Sequence, residues 1–383
     1  MSIKRLLSNL VIGAMDSYSK HMYNHTFDVE YKAAARFLAK HPQPELSQAD
    51  KDEIDRYWRK FGFKYPDYTW FQMFYGVSDI HDPRFIPDFL AWPPIYWHYN
   101  DKTCFAGWVD KNLATHLVPN IKFTTDLAHI YRGKVYDKDW NYCPNEHLPE
   151  LCNSIYEEIK NDNMFVLKQT RSTSEAKGVK FIEIEKPEDI LTAITQNITP
   201  DHVLQRCIRQ SSFMSQFCES SINVFRVNTW RHNGKIEVLP STTLRYGVEG
   251  VHTDVTFING EHTAYSVGIN PDGTLNNKFV ALSGKSQAPK NFKDPVIPNY
   301  EAILDMAKRG HESLFPFDFV GWDIALDQDN NPVCIEYNLY RPGTTIYQYA
   351  NGPLAGEFTD ELLSFLNEGD NLERFIPKKY RTR

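Results

Sequence analysis

At 383 residues, 42% hydrophobic and 24% charged, the chain has room for about two or three domains and can bury a core without disulfide or metal staples. A net charge of −7 argues against the broad basic footprint of a nucleic-acid binder, though not against a local anion site. Its six cysteines lack C-x-x-C or zinc-ligand Cys/His spacing and fit a reducing, cytoplasmic setting, and no apolar run of about 18 residues offers a transmembrane helix.

Taken in chain order, residues 1–60 read as helical. Lys4-Arg5-Leu6-Leu7 through Met15 reads as an amphipathic helix, not a signal peptide: Ser8 and Asn9 interrupt it, and Asp16 follows without a small-residue cleavage site. Ser47, followed by Asp50, Asp52 and Glu53, marks a helix start, and Ile54, Tyr57 and Trp58 follow at helical spacing. Residues 65–100, dense in Pro, Trp, Tyr and Phe, read as irregular but well packed. From about residue 150 the pattern changes. We expect helices over 150–160, 187–197 and 298–314. Strands are expected over 165–168, 179–184 and 203–208, with two more in 222–246 around the His232-Asn233-Gly234 turn. A hairpin over 319–326 and 333–338 closes the series. Hairpins mixed with helices predict an α+β fold.

That hairpin carries the strongest chemical signal. With its turn centred between Asp329 and Asn330, Asp323 falls opposite Glu336, and Asn338 shares the face of Glu336. Val320, Trp322, Ile324, Leu326, Val333 and Ile335 form the expected core face. Facing carboxylates destabilise a sheet, and a divalent cation converts the repulsion into ligation. Two carboxylates and an amide are hard oxygen ligands suited to magnesium.

Lys168 ends an apolar strand, and the hydroxyl-rich loop Thr170–Gly178 ends in Lys177-Gly178. Such a loop either closes a polar hairpin or folds over a polyphosphate; it is not a Walker loop. Arg226 and Arg245 lie among apolar and β-branched neighbours, where a guanidinium needs a partner. A buried salt bridge and a bound phosphate or carboxylate both meet that need.

Together these elements resemble the ATP-grasp superfamily, and more narrowly its sugar-transfer-associated branch, over roughly residues 80–360. The motifs are Asp82-Pro83-Arg84-Phe85-Ile86-Pro87-Asp88, Asp110-Lys111, Phe165-Val166-Leu167-Lys168, Lys177-Gly178-Val179, Val203-Leu204-Gln205, Asn223-Val224-Phe225-Arg226-Val227, Val320-Gly321-Trp322-Asp323-Ile324-Ala325 and Ile335-Glu336-Tyr337-Asn338. The resemblance implies two α+β lobes clasping ATP: residues 106–210 with the phosphate loop and 211–383 with the metal hairpin, after a helical, aromatic-rich region 1–105. It implies that Lys111 and Lys168 contact nucleotide phosphates, that Ser172, Ser174, Lys177 and Gly178 cover them, and that Gln205 lies beside adenine. Arg226, with Lys177 and Arg245, would serve the transferring phosphoryl group, and Asp323, Glu336 and Asn338 would hold magnesium. Two departures stand out. Glu175 and Ala176 replace the usual glycines of the loop, and Val251-His252-Thr253-Asp254 stands where Asp-Asn is usual.

The implied activity is an ATP- and magnesium-dependent carboxylate–amine ligase working through an acyl-phosphate. Its partners would be an amine and a small-molecule or glycan carboxylate, in polysaccharide biosynthesis. The rivals are an ATP-grasp kinase acting on a hydroxyl and a non-catalytic nucleotide- or glycan-binding protein, the latter prompted by the aromatic residues of 65–100.

Overall fold

The computed structural model describes residues 21–171, 177–258, 261–340 and 343–382. The helix expected over residues 4–15 lies outside them. The chain divides into two compact units, Met1–His98 with Gly343–Arg383, and Tyr99–Pro342. Residues 343–383 thus belong with the N-terminal region, where the sequence reading ran 211–383 as one lobe.

In the first unit, helix α1 (Gln48–Arg59) starts at a reciprocal cap. Asp50 N donates to Ser47 Oγ, and Ser47 N donates to the Asp50 carboxylate. A cap of this kind contributes about 1 kcal/mol. Ile54, Tyr57 and Trp58 are its buried face, as their spacing requires. Residues 65–100 are less irregular than expected, because helix α2 (Thr69–Ser78) spans ten of them. Trp70, Phe71, Phe74, Phe85, Phe89, Trp92 and Tyr96 are all buried. Most of the aromatic density is therefore core, and of the Trp, Tyr and Phe rings that prompted a glycan-binding module only Tyr68, Trp97 and Tyr99 are partly exposed. Buried Gln348 ties the C-terminal segment in: its Oε1 accepts from Ile86 N and Leu354 N, and its Nε2 donates to Ile86 O. Tyr380 packs its ring against Phe27, Tyr31 and Phe63.

The second unit holds two antiparallel sheets. The first has six strands, β1 (Asp126–Tyr131), β2 (Lys134–Asp137), β3 (Tyr142–Cys143), β4 (Met164–Gln169), β5 (Val179–Glu183) and β6 (His202–Arg206), in the order β3-β2-β1-β6-β4-β5. Helices α3 (Leu148–Ile159) and α4 (Pro187–Gln196) cover one face. There Ile155, Ile159, Ile190 and Ile194 meet Ile130, Phe165, Leu167 and Leu204. Alternation sends Val166, Lys168, Val203 and Gln205 to the other face.

The second sheet has nine strands: β7 (Val224–His232), β8 (Lys235–Val238), β9 (Thr243–Tyr246), β10 (Val255–Ile258), β11 (Glu261–Ile269), β12 (Leu275–Ala281), β13 (Gly284–Lys285), β14 (Phe319–Leu326) and β15 (Pro332–Asn338). Residues 222–246 hold three strands, not two, because Pro240-Ser241-Thr242 breaks the chain after β8. The β7–β8 turn uses Asn233 and Gly234, both at positive φ, which suits a two-residue hairpin. Helix α5 (Tyr300–Ser313) packs on the apolar face formed by Phe225, Val227, Leu244, Val267, Trp322 and Ile324. At Gly310 a Cβ would stand 2.6 Å from the Trp322 ring, so only glycine lets the helix approach this closely.

Candidate nucleotide and metal site

The opposite face of the nine-stranded sheet is polar, and strand register sets its order. Glu336 pairs with Asp323, Asp323 with Arg226, and Arg226 with Thr243, a continuous row across β15, β14, β7 and β9. The expected facing of Asp323 and Glu336 is observed, but for a different local reason. Next to the turn the pairs are Leu326 with Pro332 and Ala325 with Val333, one residue out from the expected register. A bulge at Ile335 then restores Asp323 to Glu336. The bulge also changes the core face of β15. Cys334 and Tyr337 join the cluster around Trp322 and Ile324, not Val333 and Ile335.

Repulsion between the two carboxylates is relieved from within the sheet. Arg226 donates from Nε (2.7 Å) and Nη2 (2.9 Å) to the two oxygens of Asp323. Arg245 Nη1 lies 3.6 Å from Asp323, and Asn338 Nδ2 donates to it at 3.2 Å. Of the two partners open to Arg226, the buried salt bridge is thus present. Burial acts to raise the Asp323 pKa, but the guanidiniums of Arg226 and Arg245 outweigh it and hold it below the usual carboxylate range. Arg245 also pairs with Asp254, a buried carboxyl whose pKa burial pushes up against that guanidinium.

Lysines reach the row from the other side. Asp110 caps the turn that presents Lys111, whose backbone N–H donates to Thr170 O (3.1 Å) and whose Nζ lies 3.5 Å from Glu336. Lys168 is buried on β4. Burial lowers its pKa, Glu336 opposes that, and Lys111 adds to it. Gln205 on β6 donates to Asp126 (2.8 Å), while its Oε1 is buried without a partner. Beyond β6, Cys207 and Ile208 line a cavity of about 250 Å³ with Met164, Phe181 and His252. Gln169 N donates to Gly178 O (2.8 Å), closing the base of the loop, and Lys177 is exposed beside it. Ser172 and Ser174 lie outside the described residues. Lys111, Lys168, Arg226, Arg245, Asp323, Glu336 and Asn338 therefore share one region. Asn228, Thr243 and Asp254 belong to it too, and only Asp254 had a sequence signal, as a departure from the family pattern.

The charges bear on what this region holds. Lys111, Lys168, Arg226 and Arg245 stand against Asp323, Glu336, Asp254 and Asp126, and burial pushes the last two carboxyls toward their neutral forms. A bare divalent cation needs a negative surplus, and no cluster of three or more His, Cys, Asp or Glu side chains forms among the described residues. A cation that brings its own phosphate oxygens would fit better: Asp323, Glu336 and Asn338 offer hard oxygens, and the four cations would balance phosphate charge.

The profile of the sugar-transfer associated ATP-grasp family matches residues 99–359. The chain belongs to this family. Its two sheets with their helices are the α+β lobes of the ATP-grasp fold. Solved structures similar to it include N5-carboxyaminoimidazole synthase from Aspergillus clavatus with ADP and 5-aminoimidazole ribonucleotide, at 10% identity over 63% of this chain and 47% of that one, TM-score 0.35. VanG D-Ala:D-Ser ligase from Enterococcus faecalis is 15% identical over 70% and 64%, with a TM-score of 0.41. D-alanine–D-alanine ligase from Bacillus anthracis is 11% identical over 70% and 68%, with a TM-score of 0.36. The chain spans about half the length of the first solved structures it matches. No curated protein matches it. No helix among the described residues is long and apolar enough to cross a membrane.

Proposed function

We propose that this ATP-grasp protein is an ATP-dependent carboxylate–amine ligase. The observation that carries the reading is the row Glu336–Asp323–Arg226, half-buried at Glu336 and buried beyond it, faced by Lys111 and Lys168, which matches a nucleoside triphosphate in charge and in donor chemistry. The base would lie near Gln205 and the cavity at Cys207 and Ile208. Asp323, Glu336 and Asn338 would hold magnesium, which when bound neutralises charge on the phosphates. Lys111 and Lys168 bind the phosphates. Arg226 and Arg245, with Lys177 at the loop end, stabilise charge on the transferring phosphoryl group.

In the reaction, a carboxylate oxygen of the acid attacks the terminal phosphorus of ATP and ADP leaves. An amine then attacks the acyl carbon, its proton passes to solvent and phosphate departs with its bonding pair. Such a sequence needs positioning and charge stabilisation more than a nucleophilic side chain. The family description favours an acid carried on a sugar or glycoconjugate, in polysaccharide biosynthesis. We place the protein in the cytoplasm, where ATP is available and its six cysteines stay as free thiols.

Hydroxylamine provides the test. With magnesium, ATP and a panel of uronic acids, it should intercept the acyl-phosphate and yield a hydroxamate with ADP and phosphate. A stable phosphate ester with ADP would replace the ligase reading by a kinase. Neither product across the panel would favour a binding protein.

A further inference from the structure

Next to the charged row, the same sheet face carries a second, uncharged one. Asn338, Gly321 and Asn228 are register partners on β15, β14 and β7. Thr243, the partner of Arg226 on β9, lies beside it. Asn228 and Thr243 are 1% and 0% exposed. Asn228 Nδ2 donates to Ser241 Oγ (3.2 Å), but Asn228 Oδ1 and Thr243 Oγ1 are buried with no hydrogen-bond partner. An unsatisfied buried polar atom costs about 1–3 kcal/mol, and native folds keep few of them. Here two share one face, and Gly321 adds no side chain between Asn228 and Asn338.

We infer that Asn228 and Thr243 form a subsite for the hydroxyl groups of a polyhydroxylated carboxylic acid whose carboxylate meets Arg226 and Arg245. This rests on the ligase reading and names the part of the site that selects the acid. The chemistry follows from the groups present. An amide oxygen only accepts, so the ligand must donate. Two guanidiniums nearby disfavour an ammonium as that donor. A peptide amide brings a single donor and a carbonyl of its own, whereas a polyol brings a donor on each carbon. Neutral hydroxyls next to an anionic carboxylate describe a sugar acid.

The test uses the full chain with magnesium and a non-hydrolysable ATP analogue. Calorimetry compares D-glucuronate, cyclohexanecarboxylate, which has a six-membered ring and no hydroxyls, and N-acetylglycine. Glucuronate should bind about tenfold or more tightly than either, because a site built for hydroxyls rejects ligands that lack them. In Asn228→Leu and Thr243→Val that preference should fall to near unity while affinity for the analogue is unchanged. Thr243→Val should be as stable as the wild type or more so, since it removes an unsatisfied atom, whereas Asn228→Leu also removes the hydrogen bond to Ser241 Oγ and should lose about 1 kcal/mol. If Asn228→Leu fails to fold, the wild-type preference and Thr243→Val decide. Equal binding of the acids, no binding of any, preference for N-acetylglycine, or a preference that survives the substitutions would overturn the inference. Normal analogue binding without an acid preference defeats this subsite alone, whereas loss of analogue binding by the wild type defeats the ligase reading beneath it.

Discussion

Asp323 and Glu336 face each other across β14 and β15, yet their surroundings predict different responses to loss of charge. Asp323 is buried and holds Arg226 with both oxygens. Asp323→Asn should leave two guanidiniums undercompensated, at a cost of about 3–5 kcal/mol in denaturant unfolding. Two facing carboxylates alone would let this change relieve repulsion and spare the fold; the pairing of Asp323 with Arg226 reverses that sign. Glu336 is half-buried, with Lys111 at 3.5 Å. Glu336→Gln should change stability by less than about 1 kcal/mol and abolish turnover, which makes it the cleaner probe of the metal role. Unimpaired turnover in Glu336→Gln would remove that residue from the metal set. The sequence placed both acids opposite each other but not the guanidinium beside Asp323, since Arg226 comes from a strand almost a hundred residues earlier.

At the scale of an element, α5 is fastened to the sheet by a hydrogen-bond relay that is sensitive to pH. Trp322 Nε1 donates to Thr229 Oγ1 (2.9 Å), the Thr229 hydroxyl reaches His311 Nδ1 (2.7 Å), and His311 Nε2 reaches Phe317 O (2.8 Å). With the imidazole neutral, Nε2 donates to Phe317 O and Nδ1 accepts from the Thr229 hydroxyl. Burial, with a smaller push from Arg231, lowers the His311 pKa from 6.5 to about 3. The folded pKa lies below the unfolded one, so the unfolded chain binds the extra proton. Stability is therefore complete above about pH 6.5 and falls by about 1.4 kcal/mol per unit as pH drops toward 3. Urea unfolding between pH 7 and 5 should show this slope, and His311→Gln should flatten it; an unchanged slope in the variant would contradict the assignment. Gly310→Ala should lose about 1–3 kcal/mol by driving a methyl into the Trp322 ring. Much at this scale was legible. Helices α1, α3, α4 and α5 and the 319–338 hairpin follow from apolar period and capping residues. The strands over 126–143 and 255–285 were missed, although in β11 Tyr265, Val267 and Ile269 alternate with Ser266 and Gly268. The bulge at Ile335 was invisible too, since β15 reads as an ordinary strand and only pairing exposes the extra residue.

For the whole molecule, the ordering of motifs made the ATP-grasp core legible, while the grouping of its ends was not. Residues 343–383 belong with the N-terminal region through contacts such as Gln348 to Ile86 and Tyr380 to Phe63, which join positions hundreds of residues apart and have no local signature. The proposed nucleotide site rests on pairing within Tyr99–Pro342, between elements that carry cations and strands that carry acids. Its most direct test is calorimetric titration of the full chain with a non-hydrolysable ATP analogue, with and without magnesium, in wild type and Lys168→Met. The account predicts magnesium-dependent binding that weakens at least about tenfold in Lys168→Met. Thermal stability of that variant should be equal or higher, because a buried ammonium is replaced by an apolar side chain of similar length. Wild-type protein that does not bind the analogue, or a Lys168→Met variant that binds it as tightly as the wild type, would contradict the account.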